Sequence, residues 1–123
     1  MRNLLALVLV LLPSLAFGQV SAMPSFYDFG EVPAGSSAST TIRFFNQSDR
    51  PNPSFHVYCS GDLADYRCFS MCGYLPAFGS CTVQVEFSPR NGDGLRRVLR
   101  LNGSGSGDFA TSTIYGTDER ASP

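Results

Sequence analysis

Histidine and cysteine, the side chains that most often carry catalysis or bind metal, are few in this chain: it has one histidine and four cysteines. Histidine is the usual general base near neutral pH, and a serine or cysteine nucleophile needs such a base beside it. His56, the only histidine, alternates with buried-type residues on a predicted strand. We therefore interpret His56 as a surface residue and not as a catalytic base.

Two acidic features have partial likeness to known sites. Asp62 and Asp65 could form a carboxylate pair for glycoside hydrolysis, but they lie in a predicted hairpin region. The segment Asn91-Gly92-Asp93-Gly94 lacks the further oxygen ligands and the glutamate of a calcium loop. We interpret both features as turns, and we predict no catalytic residue, no metal site and no cofactor.

The four cysteines, Cys59, Cys68, Cys72 and Cys81, fall in one short segment. An even number of cysteines in a secreted chain indicates disulfides, and spacing alone leaves all three pairings open. A zinc site is a weaker interpretation, because the chain has no Cys-x-x-Cys pair and its histidine lies just before Cys59. We expect two disulfides.

The first eighteen residues have the layout of a secretory signal peptide. Arg2 precedes an apolar run from Leu4 to Leu12, and small residues at Ala16 and Gly18 suit a cut after Gly18. A second possible cut follows Ala22. The apolar run is shorter than the ~20 residues that a membrane-spanning helix needs. We therefore predict a secreted or periplasmic protein whose mature part has no membrane span.

Composition narrows the class of partner. The net charge is −1 at pH 7, so the chain lacks the basic surplus that nucleic-acid binding requires. Aromatic residues make up 12% and charged residues 15% of the chain, and this balance is not that of a disordered protein. We expect one small folded domain that does not bind nucleic acid.

Apolar and polar residues alternate with period two along most of the chain, which is typical of half-buried strands. The clearest example places Cys81, Val83, Val85 and Phe87 on one face. Further alternating runs surround Ile42, Val57, Leu99 and Ile114, with turn residues between them. The pattern predicts an antiparallel β-sandwich, with residues 103–107 as a flexible hairpin loop and 118–123 as a polar tail.

Several motifs resemble the abnormal-spindle/Hydin (ASH) class of Ig-like domains, including bacterial secreted proteins of the choice-of-anchor D type. The segment 25–36, with its Phe29-Gly30 pair, is similar to the first strand of that class. The segment 42–48 is similar to a strand that ends in Asn46. The best match is 72–89, which contains Gly79-Ser80-Cys81 and a strand ending in Phe-Ser-Pro.

The resemblance implies an all-β, Ig-like sandwich of seven or eight strands over 19–117, similar to major sperm protein and pilus chaperones. It also implies a Cys72–Cys81 disulfide, which leaves Cys59 paired with Cys68. The class carries no catalytic residues, so the resemblance implies a protein that is not an enzyme. Cys59 and Cys68 are additional to its usual pattern, and Phe78 replaces a small or polar residue.

Binding is therefore the expected activity, and aromatic residues are its first candidates. Phe45, Tyr58, Tyr74 and Phe78 are outward-facing or loop-borne by their position in the alternation. Phe78 lies at the tip of the loop that a Cys72–Cys81 disulfide would close, where a rigid aromatic side chain can anchor a partner. The alternative interpretation is that these residues cover the ends of the sandwich.

Arginines and asparagines supply the other candidates. Arg96, Arg97 and Arg100 occupy one predicted strand and, with Arg43, could bind carboxylates or sulfated sugars. The same arginines could instead protect an edge strand from pairing. Two sequons begin at Asn46 and Asn102, and they matter only in a host that glycosylates secreted proteins.

We predict a non-enzymatic module that binds a protein or a surface glycan, or that has a structural role in an envelope or extracellular assembly. The alternative function is a small secreted inhibitor or effector that acts through the 72–81 loop. An activity assay distinguishes the two functions, because an inhibitor would suppress a hydrolase at stoichiometric dose.

Overall fold

The computed structural model describes residues 19–122, which form eight strands and no helix. The predicted signal peptide, residues 1–18, lies outside the described residues. The strands are β1 Val20–Met23, β2 Phe26–Pro33, β3 Ala38–Asn46, β4 His56–Gly61, β5 Tyr66–Ser70, β6 Ser80–Phe87, β7 Arg96–Gly105 and β8 Asp108–Glu119.

The strands form two four-stranded sheets that pack face to face. Sheet A has the order β1-β3-β6-β5, and sheet B has the order β2-β8-β7-β4. All neighbouring strands are antiparallel except β2 and β8, which are parallel. The β-sandwich predicted from the period-two pattern is confirmed. The core lies between the sheets and includes Phe44, Phe55, Phe87 and Ile114, all fully buried.

The core explains a glycine that the sequence pattern placed in a loop. The prediction of a flexible loop over 103–107 was wrong, because β7 continues to Gly105 and only Ser106 and Gly107 form the turn. Both turn residues have positive φ, 51° and 84°, as a two-residue type I′ hairpin requires. Gly103 is buried under Phe55, whose Cζ would lie 2.6 Å from an added Cβ. Gly103 therefore provides room for an aromatic ring in the core.

The polar tail is also shorter than predicted. β8 continues to Glu119, and the Asp118 side chain is fully buried. Its carboxylate accepts hydrogen bonds from the backbone N–H of Asn91 at 2.9 Å and of Gly92 at 2.8 Å. Asp118 therefore belongs to the folded domain, where it holds the loop before β7 in place.

The two predicted disulfides are present, and their pairing is the one that the resemblance implies. Cys59–Cys68 joins β4 to β5 and so links the edges of the two sheets. Cys72–Cys81 joins the loop before β6 to the second residue of that strand, whose side chain is buried. One disulfide therefore braces the sandwich, and the other fixes a loop.

The loops gather at two ends of the sandwich, which differ in chemistry. The amide end consists of residues 47–55, 71–79 and 106–107, together with the buried side chains of Asn46 and Asn52. The carboxylate end consists of residues 34–37, 62–65 and 88–95, together with the buried carboxylates of Asp65 and Asp118.

Candidate functional site

The loop between β5 and β6 presents two large side chains to solvent. Phe78 is 63% exposed and Tyr74 is 58% exposed, as expected from the sequence. Phe78 has a φ of 55°, which is unusual for a bulky residue that is not glycine. Its N–H donates to the carbonyl of Ser48 at 3.0 Å, and the N–H of Gly79 donates to the carbonyl of Pro76 at 2.9 Å. The backbone on both sides of the exposed ring is therefore fixed.

Buried asparagines hold this loop against its neighbour. Asn46 is 1% exposed, and its Nδ2 donates to the carbonyls of Arg50 at 2.8 Å and Pro76 at 3.1 Å. Its Oδ1 accepts the N–H of Ser48 at 3.0 Å. One amide thus ties the end of β3 to both loops of the amide end. The sequence indicated that Asn46 ends a strand but did not predict this bond to the 71–79 loop.

Asn52 makes a second connection. Its backbone pairs with that of buried Leu75 through two hydrogen bonds of 2.7 and 2.8 Å. Its Nδ2 donates to the carbonyl of Gly105 and to Asp108, both at 2.9 Å. The three loops of the amide end are therefore joined through one residue, by its backbone and its side chain together. A shallow cleft of about 280 Å³ lies beside it, lined also by Arg50 and Asp108.

The remaining aromatic candidates do not form one surface with Phe78. Phe45 lies on the outer face of sheet A, opposite Ser80, and is only partly exposed. Tyr58 lies on the outer face of sheet B, opposite Asn102, and is 58% exposed. The whole thickness of the sandwich separates these two rings. The candidates thus divide between the amide end, the outer face of sheet A and the outer face of sheet B.

The arginine patch predicted from the sequence is not formed. Arg43 points outward from sheet A, whereas Arg96 and Arg100 point outward from sheet B. The guanidinium of Arg96 lies 3.8 Å from the centre of the Tyr115 ring and 4.0 Å from Asp28. The edge-protection interpretation was wrong as well, because β7 lies inside sheet B between β8 and β4.

Arg97 has a structural role that the sequence analysis missed. Its side chain is 12% exposed and contacts Asp65 at 2.8 Å, Asp93 at 2.6 Å and Asp118 at 3.7 Å. The signal was present, because Arg97 has the same parity on β7 as Leu99 and is thus directed inward. Charge took precedence over parity in the interpretation, since an inward arginine requires buried acids that lie far away in the sequence.

The charges of the carboxylate end shift the pKa values of three groups. The hydrogen bond from Arg97 lowers the pKa of Asp93, and the hydrogen bonds to Asp93 and Asp65 raise the pKa of Arg97. Burial and the nearby charges of Asp62, Asp28 and Asp65 raise the pKa of Tyr66 above its usual value. The Tyr66 hydroxyl donates to the carbonyl of Arg97 at 3.1 Å. At neutral pH, Asp93 and Arg97 therefore keep their charges and the Tyr66 hydroxyl stays protonated.

The residues that were weighed as catalytic candidates make hydrogen bonds with the backbone or with Arg97. His56 is exposed, and its Nδ1 lies 3.3 Å from the carbonyl of Ser54. Asp62 accepts the N–H of Val98 at 2.7 Å, and Asp65 is bound to Arg97. Across residues 19–122, no group of three or more His, Cys, Asp or Glu side chains could hold a metal ion. The described part of the chain also has no helix long and apolar enough to cross a membrane.

The two sequons differ in accessibility. Asn46 is buried, and its amide is fully engaged in hydrogen bonds. The amide of Asn102 is partly buried and donates to Ser60 Oγ at 3.1 Å. The Asn46 sequon therefore cannot accept a glycan in the folded protein.

Solved structures with the same fold come from unrelated settings. The ASH/PapD-like domain 7 of human CEP192 has 14% identity and a TM-score of 0.62, and the match covers 85% of this chain and 88% of that domain. WR4, a C. elegans member of the MSP family, has 15% identity and a TM-score of 0.56, with 83% and 99% covered. The Vibrio cholerae VesB protease has 20% identity and a TM-score of 0.61, with 80% of this chain but only 32% of the protease covered.

Sequence comparison agrees with these structural likenesses at the level of the family. No curated protein sequence matches the chain. The family model described as "Abnormal spindle-like microcephaly-assoc'd, ASPM-SPD-2-Hydin" matches residues 13–109, well over half of the chain. The resemblance seen in the strand motifs is thereby confirmed, and the chain belongs to the ASH family.

Proposed function

We propose that this ASH domain is a non-enzymatic binding module that works outside the cytoplasm and captures a protein through the Phe78 loop, residues 71–79. The carrying observation is Phe78 itself, an aromatic side chain that is 63% exposed on a left-handed backbone. Large apolar side chains on rigid supports are the residues that most often dominate a protein interface.

The support beneath Phe78 favours recognition without a large change in loop structure. The Cys72–Cys81 disulfide closes the loop, Leu75 is fully buried below it, and Asn52 pairs with the Leu75 backbone. A loop fixed before binding loses little conformational entropy when it meets a partner. Tyr74, exposed in the same loop, adds a second aromatic contact.

The cysteines support the proposed location outside the cytoplasm. All four form disulfides, and disulfides persist mainly in oxidising surroundings such as the periplasm or the extracellular space. The signal-peptide pattern of residues 1–18 supports the same location. A bacterial secreted or periplasmic protein of the choice-of-anchor D type is the setting that we propose.

The test replaces Phe78 and compares it with an apolar residue at the other end of the sandwich. F78A removes the exposed ring, and L63A removes an exposed leucine (56% exposed) from the carboxylate end. We expect F78A to weaken binding of the partner by at least about tenfold, and L63A to leave that binding unchanged. The measurement is quantitative mass spectrometry after capture from the extracytoplasmic fraction of the host, followed by titration with the purified partner.

Equal capture by F78A and wild type would contradict the assignment of the loop. If the captured partner is a hydrolase, its activity should be measured with one equivalent of the domain. Suppression that F78A abolishes would establish the inhibitor function in place of simple binding. Both variants should melt within a few degrees of wild type, because neither exposed side chain contributes to the core.

A further inference from the structure

β5 forms one edge of sheet A, and its hydrogen-bonding pattern can be read from its two ends. The N–H of Ser88 donates to the carbonyl of Asp65 at 2.7 Å, and the N–H of Met71 donates to the carbonyl of Thr82 at 2.9 Å. Between these bonds the register of β5 with β6 is continuous. Residues of an antiparallel strand alternate between those that bond the neighbour and those that face away. The odd-numbered residues of β5 therefore bond to β6.

The even-numbered residues of β5 face the other way. The N–H and carbonyl groups of Tyr66, Cys68 and Ser70 point to the free edge of the sheet. Within residues 19–122, these backbone groups have no hydrogen-bond partner. The free groups are centred on Cys68, with one residue on each side.

The opposite side of the sandwich is protected from further pairing, whereas the β5 edge is not. β1 is followed directly by Pro24, and β2 has an irregularity between Asp28 and Glu31 and ends in Pro33. Proline, bulges and charged side chains, above all lysine, are the usual means of blocking an edge strand. β5 contains no proline, bulge or lysine, and its one charged side chain is Arg67. Its outward-facing Phe69 is 54% exposed, and Met71 directly after it is 78% exposed.

We propose that β5 pairs with β5 of a second copy of this chain, antiparallel and about a two-fold axis through Cys68. In this register Cys68 faces itself, and Tyr66 faces Ser70 of the second copy. Residues that face each other in this way exchange both backbone hydrogen bonds. All the free groups of the edge are then satisfied, and sheet A continues into its copy. The surface is distinct from the Phe78 loop, so this inference is independent of the proposed function.

The outward-facing side chains of β5 fit the same register. Arg67 is the only charged residue of β5, and it lies opposite Phe69 of the second copy. No like charges therefore lie directly opposite each other, since the two copies of Arg67 are only diagonal neighbours, and a guanidinium can pack on an aromatic ring. The two copies of Phe69 are diagonal neighbours, which is within reach for aromatic side chains. Self-complementary contacts of this kind are what a two-fold interface requires.

The neighbouring edge of sheet B is arranged in the same way. The N–H of Asp62 donates to the carbonyl of Val98 at 2.9 Å, so the even-numbered residues of β4 bond to β7. The backbone N–H and carbonyl groups of Val57 and Cys59 therefore point to the free edge of sheet B. Because the Cys59–Cys68 disulfide joins the two edges, an axis through Cys68 also brings β4 to face its own copy.

Sedimentation equilibrium of residues 19–123, from about 5 µM to about 500 µM, tests the dimer. We expect a monomer–dimer equilibrium for wild type. F69K should raise the dimer dissociation constant by at least about tenfold, because it places an ammonium group opposite Arg67 of the second copy. F109K is the matched control, since Phe109 is 75% exposed on sheet B, away from the pair. It should leave the dimer unchanged.

Two further comparisons separate edge pairing from a general effect on the fold. The double variant R67E/F69K restores opposite charges across the pair and should regain the dimer. S70P blocks the free N–H of the edge and should lose the dimer, whereas S70A removes the same hydroxyl and should keep it. Circular dichroism checks that each variant folds. A monomer at all concentrations, or a dimer that survives both F69K and S70P, would overturn the proposal.

Discussion

The loops at the two ends of the sandwich are held together by different kinds of interaction. At the carboxylate end, Arg97 contacts three acids, two of which, Asp65 and Asp118, are buried. At the amide end, the described structure has no ion pair, and the amides of Asn46 and Asn52 join the loops through hydrogen bonds that are neutral except for the one that Asp108 accepts. Neutral bonds hold a loop without making it depend on pH or salt. Charged bonds are stronger but fail when one partner is removed.

This difference agrees with a division of labour between the ends. The amide end supports the exposed Phe78 loop, which must keep one conformation while remaining open to solvent. The carboxylate end closes the sandwich where β8 and the loop before β7 meet, through Asp118 and its bonds to Asn91 and Gly92. We therefore expect substitutions at the carboxylate end to affect global stability and those at the amide end to affect the loop.

The largest effect is expected for R97M. It removes the guanidinium, which leaves the buried carboxylate of Asp118 without a cation and that of Asp65 with only the exposed Arg90 at 3.7 Å. We expect a cost of about 3–5 kcal/mol of unfolding free energy. The measurement is urea unfolding at neutral pH. R100M is the control, because Arg100 lies on the exposed face of the same strand and should change stability by less than about 0.5 kcal/mol. Similar losses of unfolding free energy for both variants would contradict a special role of the inward-facing arginine at the carboxylate end.

A smaller effect is expected for N46A at the amide end. The substitution removes the two bonds from Nδ2 and the bond from the N–H of Ser48, so that three partly buried backbone groups lose their partner. We expect a loss of about 2 kcal/mol and a change in the amide resonances of the Phe78 loop. N102A, on the half-buried outer face of sheet B, is the control and should leave those resonances unchanged. A greater loss for N46A than for R97M would reverse the comparison.

The smallest effect at neutral pH is expected for Y66F, which removes the hydrogen bond to the Arg97 carbonyl and costs about 1 kcal/mol. Its pH dependence is more informative. Because the pKa of Tyr66 is raised in the folded protein, the unfolded chain ionises first as pH rises, and stability is lost above about pH 10. The wild type should lose about 1.4 kcal/mol per pH unit more than Y66F in that range.

The chain is well suited to this measurement. It contains no lysine, and every cysteine is in a disulfide, so neither an ammonium group of lysine nor a thiol adds to the pH dependence of stability in this range. Urea unfolding of both proteins between about pH 9 and about pH 11 gives the comparison directly. Parallel pH profiles would contradict the role of the buried hydroxyl.

Much of the fold could be predicted because the interior of a sandwich imposes a period of two. Cys81, Val83, Val85 and Phe87 alternate as the pattern requires, and all are buried. The short edge strand β5 gave no such signal, because Arg67 and Phe69 on its outer face resemble loop residues as much as strand residues. An edge strand is bonded on one side only, so its sequence is less constrained.

The candidate site was predicted in part. Exposure of Phe78 and Tyr74 followed from their place in a loop between two cysteines. The separation of Arg43 from Arg96 did not follow, because it depends on which sheet each strand joins, and local alternation carries no information about that choice. Arg97 was misread for a related reason. Its partners Asp65, Asp93 and Asp118 come from three separate segments that only the folded chain brings together.

The parallel pairing of β2 with β8 has a mechanical consequence. The described chain enters near the amide end, where Val20 pairs with Asn46, and leaves at the carboxylate end, where Glu119 lies beside Pro33. A pulling force applied at these two points would slide β2 and β8 past each other along their length. The hydrogen bonds between the strands would then share the load together instead of opening one at a time. A tether under tension would therefore meet this sandwich in its most resistant direction.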